Sequence, residues 1–285
     1  MAATPPVVLT IAGFDPSSGA GVTADIKTIA AHECYGIACI TAMTVQSTQG
    51  VRRVEMADPA LLSESLQELV SDVVVEAVHI GMLGNAQVVT VVADFLKRAM
   101  LPHVVLDPIL GSSSGAHLLD SVGTRLLVER LLPLTEVITP NIDEAGTLAE
   151  TAVTNLDQMR EAARRLHAMG AANVVVTGGH LEKATDLLSF RTSRSTEQEV
   201  FKSDRQRSNS THGTGCAFST ALACHLAHGR GLPEAVLLSK AYVAAAIANA
   251  YPVGRGVGPL HHLYRMGQQR RAGSVVREAE PTHSR

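Results

Sequence analysis

Val7-Val8-Leu9-Thr10-Ile11-Ala12 runs without a break into Gly13-Phe14-Asp15-Pro16-Ser17-Ser18-Gly19-Ala20-Gly21, and from there into a stretch carrying Ala24, Ile26, Ile29 and Ala30. The first run is apolar and rich in β-branched residues, which is how a strand covered on both faces reads. Glycines and Pro16 stop it, and the apolar residues that follow fit a helix face. Strand, glycine-rich loop and helix in that order open an α/β sheet. The loop lies where such sheets bind ligands, beyond the carboxyl end of a strand.

The alternation continues along the chain. Apolar runs recur at residues 37–41, 77–80, 104–107, 137–139 and 173–177, short and continuous as parallel strands are. Between them lie helical patterns, clearest in Leu156, Met159, Ala163, Leu166 and Met169, which share one face before Gly170 ends the helix. Residues 186–190 and 199–202 read as a small hairpin around a polar stretch. Two long helices follow, over about 216–228 and 233–250, with Gly229 and Gly231 between them. The expected architecture is α/β: a mostly parallel central sheet with helices on both faces and a small β-hairpin before the glycine-rich loop at 211–216. Residues 1–267 are expected to form one domain, and the basic, aperiodic segment 268–285 a frayed tail.

Composition narrows the function classes. With 285 residues, 46% hydrophobic and 18% charged, the chain can bury a sizeable core. A net charge of -3 and an aromatic content of 3% with no Trp remove the basic footprint and stacking platforms of a nucleic-acid binder. The apolar runs are far shorter than the roughly 20 residues that cross a bilayer, so no membrane span is expected. Met1 to Pro6 lacks the basic segment of a secretory leader, which makes the cytoplasm the default location. Cys34, Cys39, Cys216 and Cys224 show no Cys-x-x-Cys spacing and read as reduced thiols.

Thr211-His212-Gly213-Thr214-Gly215-Cys216 is followed at once by Ala217, Phe218, Ala221 and Leu222 at helical spacing. A glycine-rich loop opening a helix turns the backbone N–H groups of Gly213, Thr214, Gly215 and Cys216 outward. With the helix dipole they bind an anion such as phosphate; a plain chain-reversing turn is the competing reading. Cys216 stands at a helix N-terminus, where thiol pKa values fall, and reads as a proton acceptor or nucleophile, or else as a small packed residue.

Residues 19–24 also fit Gly-x-Gly-x-x-Ala, but the second strand ends in Thr41-Ala42-Met43-Thr44 rather than in the acidic residue a nicotinamide dinucleotide needs. Asp25, one turn into the first helix, is expected to face a polar ligand in the crevice, against the plainer role of complementing the helix dipole. Gln46, in the loop after the second strand, can donate and accept at once and matches the edge of an aminopyrimidine. Met82, in Gly81-Met82-Leu83, also follows a strand, although such a residue is usually core filling. Asp107, with Asn141 and Glu144 at the next strand end, presents oxygen ligands of the kind Mg²⁺ takes through water. Asn141 with Glu144 three residues on is equally a capping box. No Gly-x-x-x-x-Gly-Lys-Ser/Thr sequence occurs, which excludes a P-loop.

In order along the chain, residues 10–21, Thr41-Ala42-Met43-Thr44-Val45-Gln46, Ile80-Gly81-Met82-Leu83, Thr139-Pro140-Asn141, Gly178-Gly179-His180 and residues 211–216 closely resemble hydroxymethylpyrimidine/phosphomethylpyrimidine kinases of the ribokinase-like fold. The resemblance runs from about Val7 to His262. It implies ATP and Mg²⁺, with phosphorylation first of the hydroxymethyl oxygen of 4-amino-5-hydroxymethyl-2-methylpyrimidine and then of its monophosphate, giving the diphosphate used for thiamine. It also implies that Gly213, Thr214 and Gly215 hold the transferred phosphoryl group and that Cys216 takes the place of the catalytic Asp of related sugar kinases. Gly13, Asp25, Gln46 and Met82 match pyrimidine-pocket positions, and Asn141, Glu144 and Thr177-Gly178-Gly179 the ATP and Mg²⁺ side. A homodimer is the family tendency, with apolar residues near 51–56 as contacts.

Ser113 and Thr177 stand where many members carry lysine, so two positive charges near the phosphates are missing; Lys183 or Arg191 are the candidates to replace them. Pyridoxine or pyridoxal kinase is the neighbouring alternative, which Gln46 disfavours. A non-catalytic pyrimidine-binding regulator is the alternative outside enzymes, which the intact glycine loop and Cys216 disfavour.

Overall fold

A computed structural model of the chain describes residues 4–112, 115–179, 184–204, 206 and 208–266. In chain order they form β1 (Val7–Phe14), α1 (Gly21–Ala31), β2 (Tyr35–Ser47), β3 (Gly50–Met56), α2 (Pro59–Asp72), β4 (Ala77–Ile80), α3 (Ala86–Ala99), β5 (Val104–Leu106), α4 (Ser121–Leu126), β6 (Val137–Ile138), α5 (Ile142–Leu148), α6 (Leu156–Ala168), β7 (Asn173–Val176), β8 (Ala184–Arg191), β9 (Thr196–Ser203), α7 (Thr214–Ala227) and α8 (Leu232–Ala248). They build one nine-stranded sheet in the order β3-β2-β1-β4-β5-β6-β7-β8-β9. The strands from β2 to β7 along that order are parallel, and β3, β8 and β9 run antiparallel at the two edges.

Strand side chains alternate between faces, so each parallel strand must be apolar throughout. Leu9, Ile11, Val78, Ile80 and Leu106 join the cluster made with Leu62 and Leu66 of α2, Val88 and Val92 of α3, and Met159 and Leu166 of α6. Their neighbours Val8, Ala77, Val105, Val137 and Val175 join Phe218 and Leu222 of α7 and Ala235 and Val236 of α8. Helix α7 is buried on every side from Cys216 to Leu226, as an apolar helix without a polar face must be.

The α/β architecture, the hairpin and the two closing helices follow the expected pattern. One boundary matters for function. The second strand continues to Ser47 because residues 42–47 pair antiparallel with β3, and Gly50, at φ 127, helps close that hairpin. Gln46 therefore stands in a strand opposite Val51, not in a loop as its sequence position suggested. Residues 268–285, expected as a tail, lie outside the described residues. All four cysteines are free thiols. No helix among the described residues is long and apolar enough to cross a membrane.

A histidine cluster packs among α1, α7, α8 and the closing segment. The His32 ring lies 4.9 Å from that of His225 and 4.5 Å from that of Tyr242, and His262 Nδ1 lies 3.1 Å from Thr28 Oγ1. Burial, above all, holds His32 and His262 down at about 4 and His225 at about 3. The unfolded chain protonates these rings near 6.5, whereas the folded chain refuses the proton until far lower. Stability is therefore complete above that value and is lost as the pH falls from 6.5 toward about 4. His79 has the opposite sign: burial opposes its charge, but Asp25 and Asp107 outweigh burial and raise it, so its contribution is lost only on the alkaline side. The expected result is a melting temperature that drops steeply between pH 6.5 and 4; a flat profile in circular dichroism melts over that range would contradict a buried, neutral cluster.

Candidate active site

Strand order reverses at β1, which has β2 on one side and β4 on the other. A ligand crevice opens beyond the carboxyl ends of the strands at such a point. Helix α7 packs against β1, β4 and β5, and its first turn meets this edge: a Cβ added at Gly215 would lie 3.6 Å from Asp107 Oδ2, just beyond β5.

Gly213 caps α7 at φ 79 and ψ 18. Its carbonyl accepts from Ala217 N at 2.9 Å, and the first-turn N–H groups have no partner within the helix. The left-handed backbone is open to glycine at little cost. A Cβ at Gly213 would also collide with the carbonyl oxygen of Gly19, so the two glycine-rich loops lie backbone against backbone. Asp15 organises the first of them. Its Oδ1 accepts from Ser17 N at 2.8 Å and Ser17 Oγ at 2.7 Å, and its Oδ2 from Gly19 N at 3.2 Å and Ala20 N at 3.0 Å. His212 Nε2 lies 2.9 Å from the same Oδ2. Burial works to raise the Asp15 carboxyl, but the hydrogen bonds from His212 and Ser17 outweigh it and hold it below its ordinary value.

On the other wall, Gly13 sits against Met82: a Cβ there would come 3.0 Å from Met82 Sδ. Gln46 lies on β2 with its amide 3.1 Å from Thr44 Oγ1 and 3.2 Å from His212 Nε2. Gly13, Met82 and Gln46 are thus brought to one side of the glycine loops.

Asp25 is not at the crevice. It is fully buried, its Oδ2 accepting from Thr10 Oγ1 at 2.7 Å and its Oδ1 from Thr220 Oγ1 at 2.9 Å. His79 Nδ1 approaches Oδ2 to 3.4 Å. The helix turns this residue inward between β1, β4 and α7, where a carboxylate must be paired. From His79 the chain of contacts continues through Ser219 Oγ, 3.0 Å from His79 Nε2 and 3.3 Å from Asp107 Oδ2.

Cys216 also departs from expectation. Burial, then the charges of Asp107, Asp25 and Glu144, push its thiol well above the ordinary value, against a hydrogen bond from the Gly21 backbone. The helix terminus does not make a thiolate here, because desolvation and three carboxylates outweigh the dipole. Asp107 is itself raised to about 6, first by burial and also by Asp25, while His79 and hydrogen bonds from Ser219 and Cys216 work the other way.

Asn141 and Glu144 form the capping box of α5: the Asn141 side chain accepts from Asp143 N and Glu144 N, and Glu144 Oε2 accepts from Asn141 N at 2.9 Å. Glu144 is nonetheless buried and pushed up to about 8, first by desolvation and then by the charge of Asp107. The Thr177 turn is joined to this strand end, with Thr177 N donating to Pro140 O at 2.9 Å. Gly178 N donates to Asp186 Oδ1 at 3.0 Å, and Lys240 Nζ pairs with Asp186 Oδ2 at 2.7 Å. Ser113 and Lys183 lie outside the described residues. Arg191 stands at the wrong end of the sheet, beside Asn173 at the start of β7, where it donates to His167 O. Among the described residues, Lys240 is joined to this turn through Asp186. Asp15, His212, His79, Asp186 and Lys240 were not among the site residues read from sequence; a charged residue inside the apolar run of β8 was the available signal for Asp186.

The phosphomethylpyrimidine kinase family matches residues 15–261. A thiamine biosynthesis bifunctional protein of Geobacter sulfurreducens is 42% identical over 256 residues, 90% of this chain, which spans 52% of that relative. The hydroxymethylpyrimidine/phosphomethylpyrimidine kinase of Escherichia coli is 40% identical over 261 residues, covering 90% of this chain and 97% of that one. Among solved structures, an ADP complex of Bacillus subtilis pyridoxal kinase superposes with a TM-score of 0.83 at 34% identity, covering 92% of this chain and 100% of the other. The glycine loop, the switch-point crevice and the match along nearly the whole sheet lead to one conclusion: the chain belongs to the phosphomethylpyrimidine kinase family.

Proposed function

We propose that the protein transfers the γ-phosphoryl group of ATP to the hydroxymethyl oxygen of 4-amino-5-hydroxymethyl-2-methylpyrimidine, and then a second phosphoryl group to the monophosphate. The observation that carries this reading is the first turn of α7, whose N–H groups have no partner within the helix, seated at the β1/β4 switch between Gln46 and Met82 on one side and Asp107 on the other. In each step a P–O bond forms to the acceptor oxygen, the bond from the γ-phosphorus to the bridging oxygen breaks and ADP leaves; the alcohol also gives up its proton, whereas the monophosphate attacks through an oxygen already largely ionised near neutral pH. Phosphoryl transfer of this kind needs positioning and charge stabilisation more than covalent help. A backbone donor aimed at developing negative charge contributes about 3–4 kcal/mol, and the first turn of α7 supplies several.

Asp107 and Glu144 offer only oxygen, and the charge of Asp107 raises Glu144 in the way like charges do. That donor set suits Mg²⁺ held by one or two carboxylates with water and phosphate oxygens. When bound, the cation would neutralise charge on the transferring phosphates. Thr177 supplies no positive charge at its turn, and Lys240 is paired with Asp186, so this work falls to the loop and the cation.

Cys216 acts in this scheme as a neutral hydrogen-bonding group that orients the acceptor oxygen, not as a preformed thiolate. Cys216→Ser should therefore keep kcat within about tenfold of the unaltered protein, and Cys216→Ala should lose about 10- to 100-fold. Steady-state rates decide: equal rates in both variants would remove any chemical part for the thiol.

The substrate reading is tested by comparing kcat/KM for the aminopyrimidine alcohol and for pyridoxal. Preference for the pyrimidine by about tenfold or more is expected, because an amide left unmatched beneath a bound ligand is costly; a preference for pyridoxal would move the protein to that reading. Tight binding of the pyrimidine without ADP release would support the regulator. Self-association is assigned to the β2–β3 hairpin, where Met43 is 59% and Val45 53% exposed. The residues of β3 first suspected are half-buried or polar. Met43→Glu with Val45→Glu should convert a dimer to a monomer in light scattering; an unaltered mass would contradict that surface.

A further inference from the structure

His212 touches both glycine-rich loops and the residue proposed to read the pyrimidine. Its Nε2 lies 2.9 Å from Asp15 Oδ2 and 3.2 Å from the terminal amide of Gln46. A carboxylate oxygen only accepts, so Nε2 carries a hydrogen and donates it to Asp15. An N–H group cannot at the same time accept, so the Gln46 atom facing His212 is its carbonyl oxygen. Amide oxygen and nitrogen have nearly the same shape, and their partners decide which is which. The Gln46 NH₂ group then faces Thr44 Oγ1 at 3.1 Å, and Thr44 donates onward to Phe14 O at 3.1 Å. The one Nε2 hydrogen is then shared between Asp15 Oδ2 and the Gln46 oxygen, Thr44 both accepts and donates, and one amide N–H and one carbonyl lone pair are left for a ligand.

Asp15 is a fixed anchor for the sequence of bonds. It accepts four hydrogen bonds from its own loop, and the His212 ring packs so closely over Gly19 that any Cβ there would strike Cδ2. The imidazole has one position, and its hydrogen has one direction.

We infer that His212 is a specificity-determining positioning residue: Asp15 fixes the hydrogen on Nε2, and that hydrogen fixes which end of the Gln46 amide donates to the ring nitrogen and which accepts from the amino group of an aminopyrimidine. This rests on the pyrimidine reading above. An amide free to turn by half a revolution would present donor to donor and acceptor to acceptor for part of the time, weakening recognition without touching the phosphoryl-transfer loop.

The experiment is a double-variant cycle on the full chain, using His212→Leu, His212→Gln, Gln46→Leu and the His212→Leu/Gln46→Leu pair, with KM for the aminopyrimidine alcohol, KM for ATP and kcat measured for each. His212→Leu should raise the pyrimidine KM about tenfold and leave the ATP KM within about twofold. His212→Gln, whose amide can donate from the same reach, should restore the pyrimidine KM to within about threefold. In the Gln46→Leu background, His212→Leu should change that KM by less than about twofold, because the group it orients is gone. Independent, multiplying losses in the pair overturn the inference. So does a His212→Leu effect confined to kcat and the ATP KM, which would make the residue a clamp between loops. If the unaltered protein turns over no pyrimidine, the function reading falls and this inference falls with it; turnover with multiplying losses removes this inference alone.

Discussion

Gly213→Ala is expected to lower kcat by about 10²–10³ while the protein remains folded. Two effects combine. The residue sits at φ 79, where a Cβ costs about 1–2 kcal/mol, and that Cβ would collide with the Gly19 carbonyl oxygen. Gly19 cannot retreat freely, because its own N–H and that of Ala20 are held by Asp15. The loop before α7 must move instead, and a displacement of about 1 Å is worth some 10² in a reaction that depends on positioning. Gly229→Ala separates strain from collision: Gly229 has φ 76, yet nothing lies within 4 Å of an added Cβ. It should lose about 1 kcal/mol of stability and no activity. If Gly213→Ala keeps a tenth or more of the rate, the loop is not the phosphoryl cradle.

Asp25→Ala is expected to destabilise the fold by about 3–5 kcal/mol, the cost of leaving a buried partner charge uncompensated. His79, fully buried and raised by Asp25, would lose its counter-charge, and Thr10 and Thr220 their acceptor. Denaturant unfolding should show the midpoint falling with little change in slope. Any KM change measured well below the new melting temperature should be small. An unchanged midpoint with a large rise in pyrimidine KM would return Asp25 to the substrate pocket and contradict its place in the core.

The parallel sheet was legible because its strands are buried on both faces and therefore continuous in hydrophobicity, as in Val7 to Ala12 and the run at 173–176. The loop before α7 was legible because glycines at a helix start have few other uses. Other parts depend on distances that no local pattern carries. Asp25 looks like a ligand residue in sequence; only the packing of α1 against β1, β2 and α7 turns it inward, toward His79 of β4. Cys216 stands where a dipole lowers a thiol, but Asp107, Asp25 and Glu144 come from separate elements to reverse the sign. Gln46 read as a loop residue because its pairing partner Val51 lies across a hairpin. Lys240, far along the chain, reaches the Gly178 turn only through Asp186.

In the proposed function one glycine-capped site performs both phosphorylations. Incubating the protein with ATP, Mg²⁺ and the aminopyrimidine alcohol, and resolving products by mass over time, tests it most directly. The expected course is a monophosphate that rises and then gives way to the diphosphate. A monophosphate that accumulates without further conversion would contradict the second step, and no phosphorylated pyrimidine at all would contradict the claim itself.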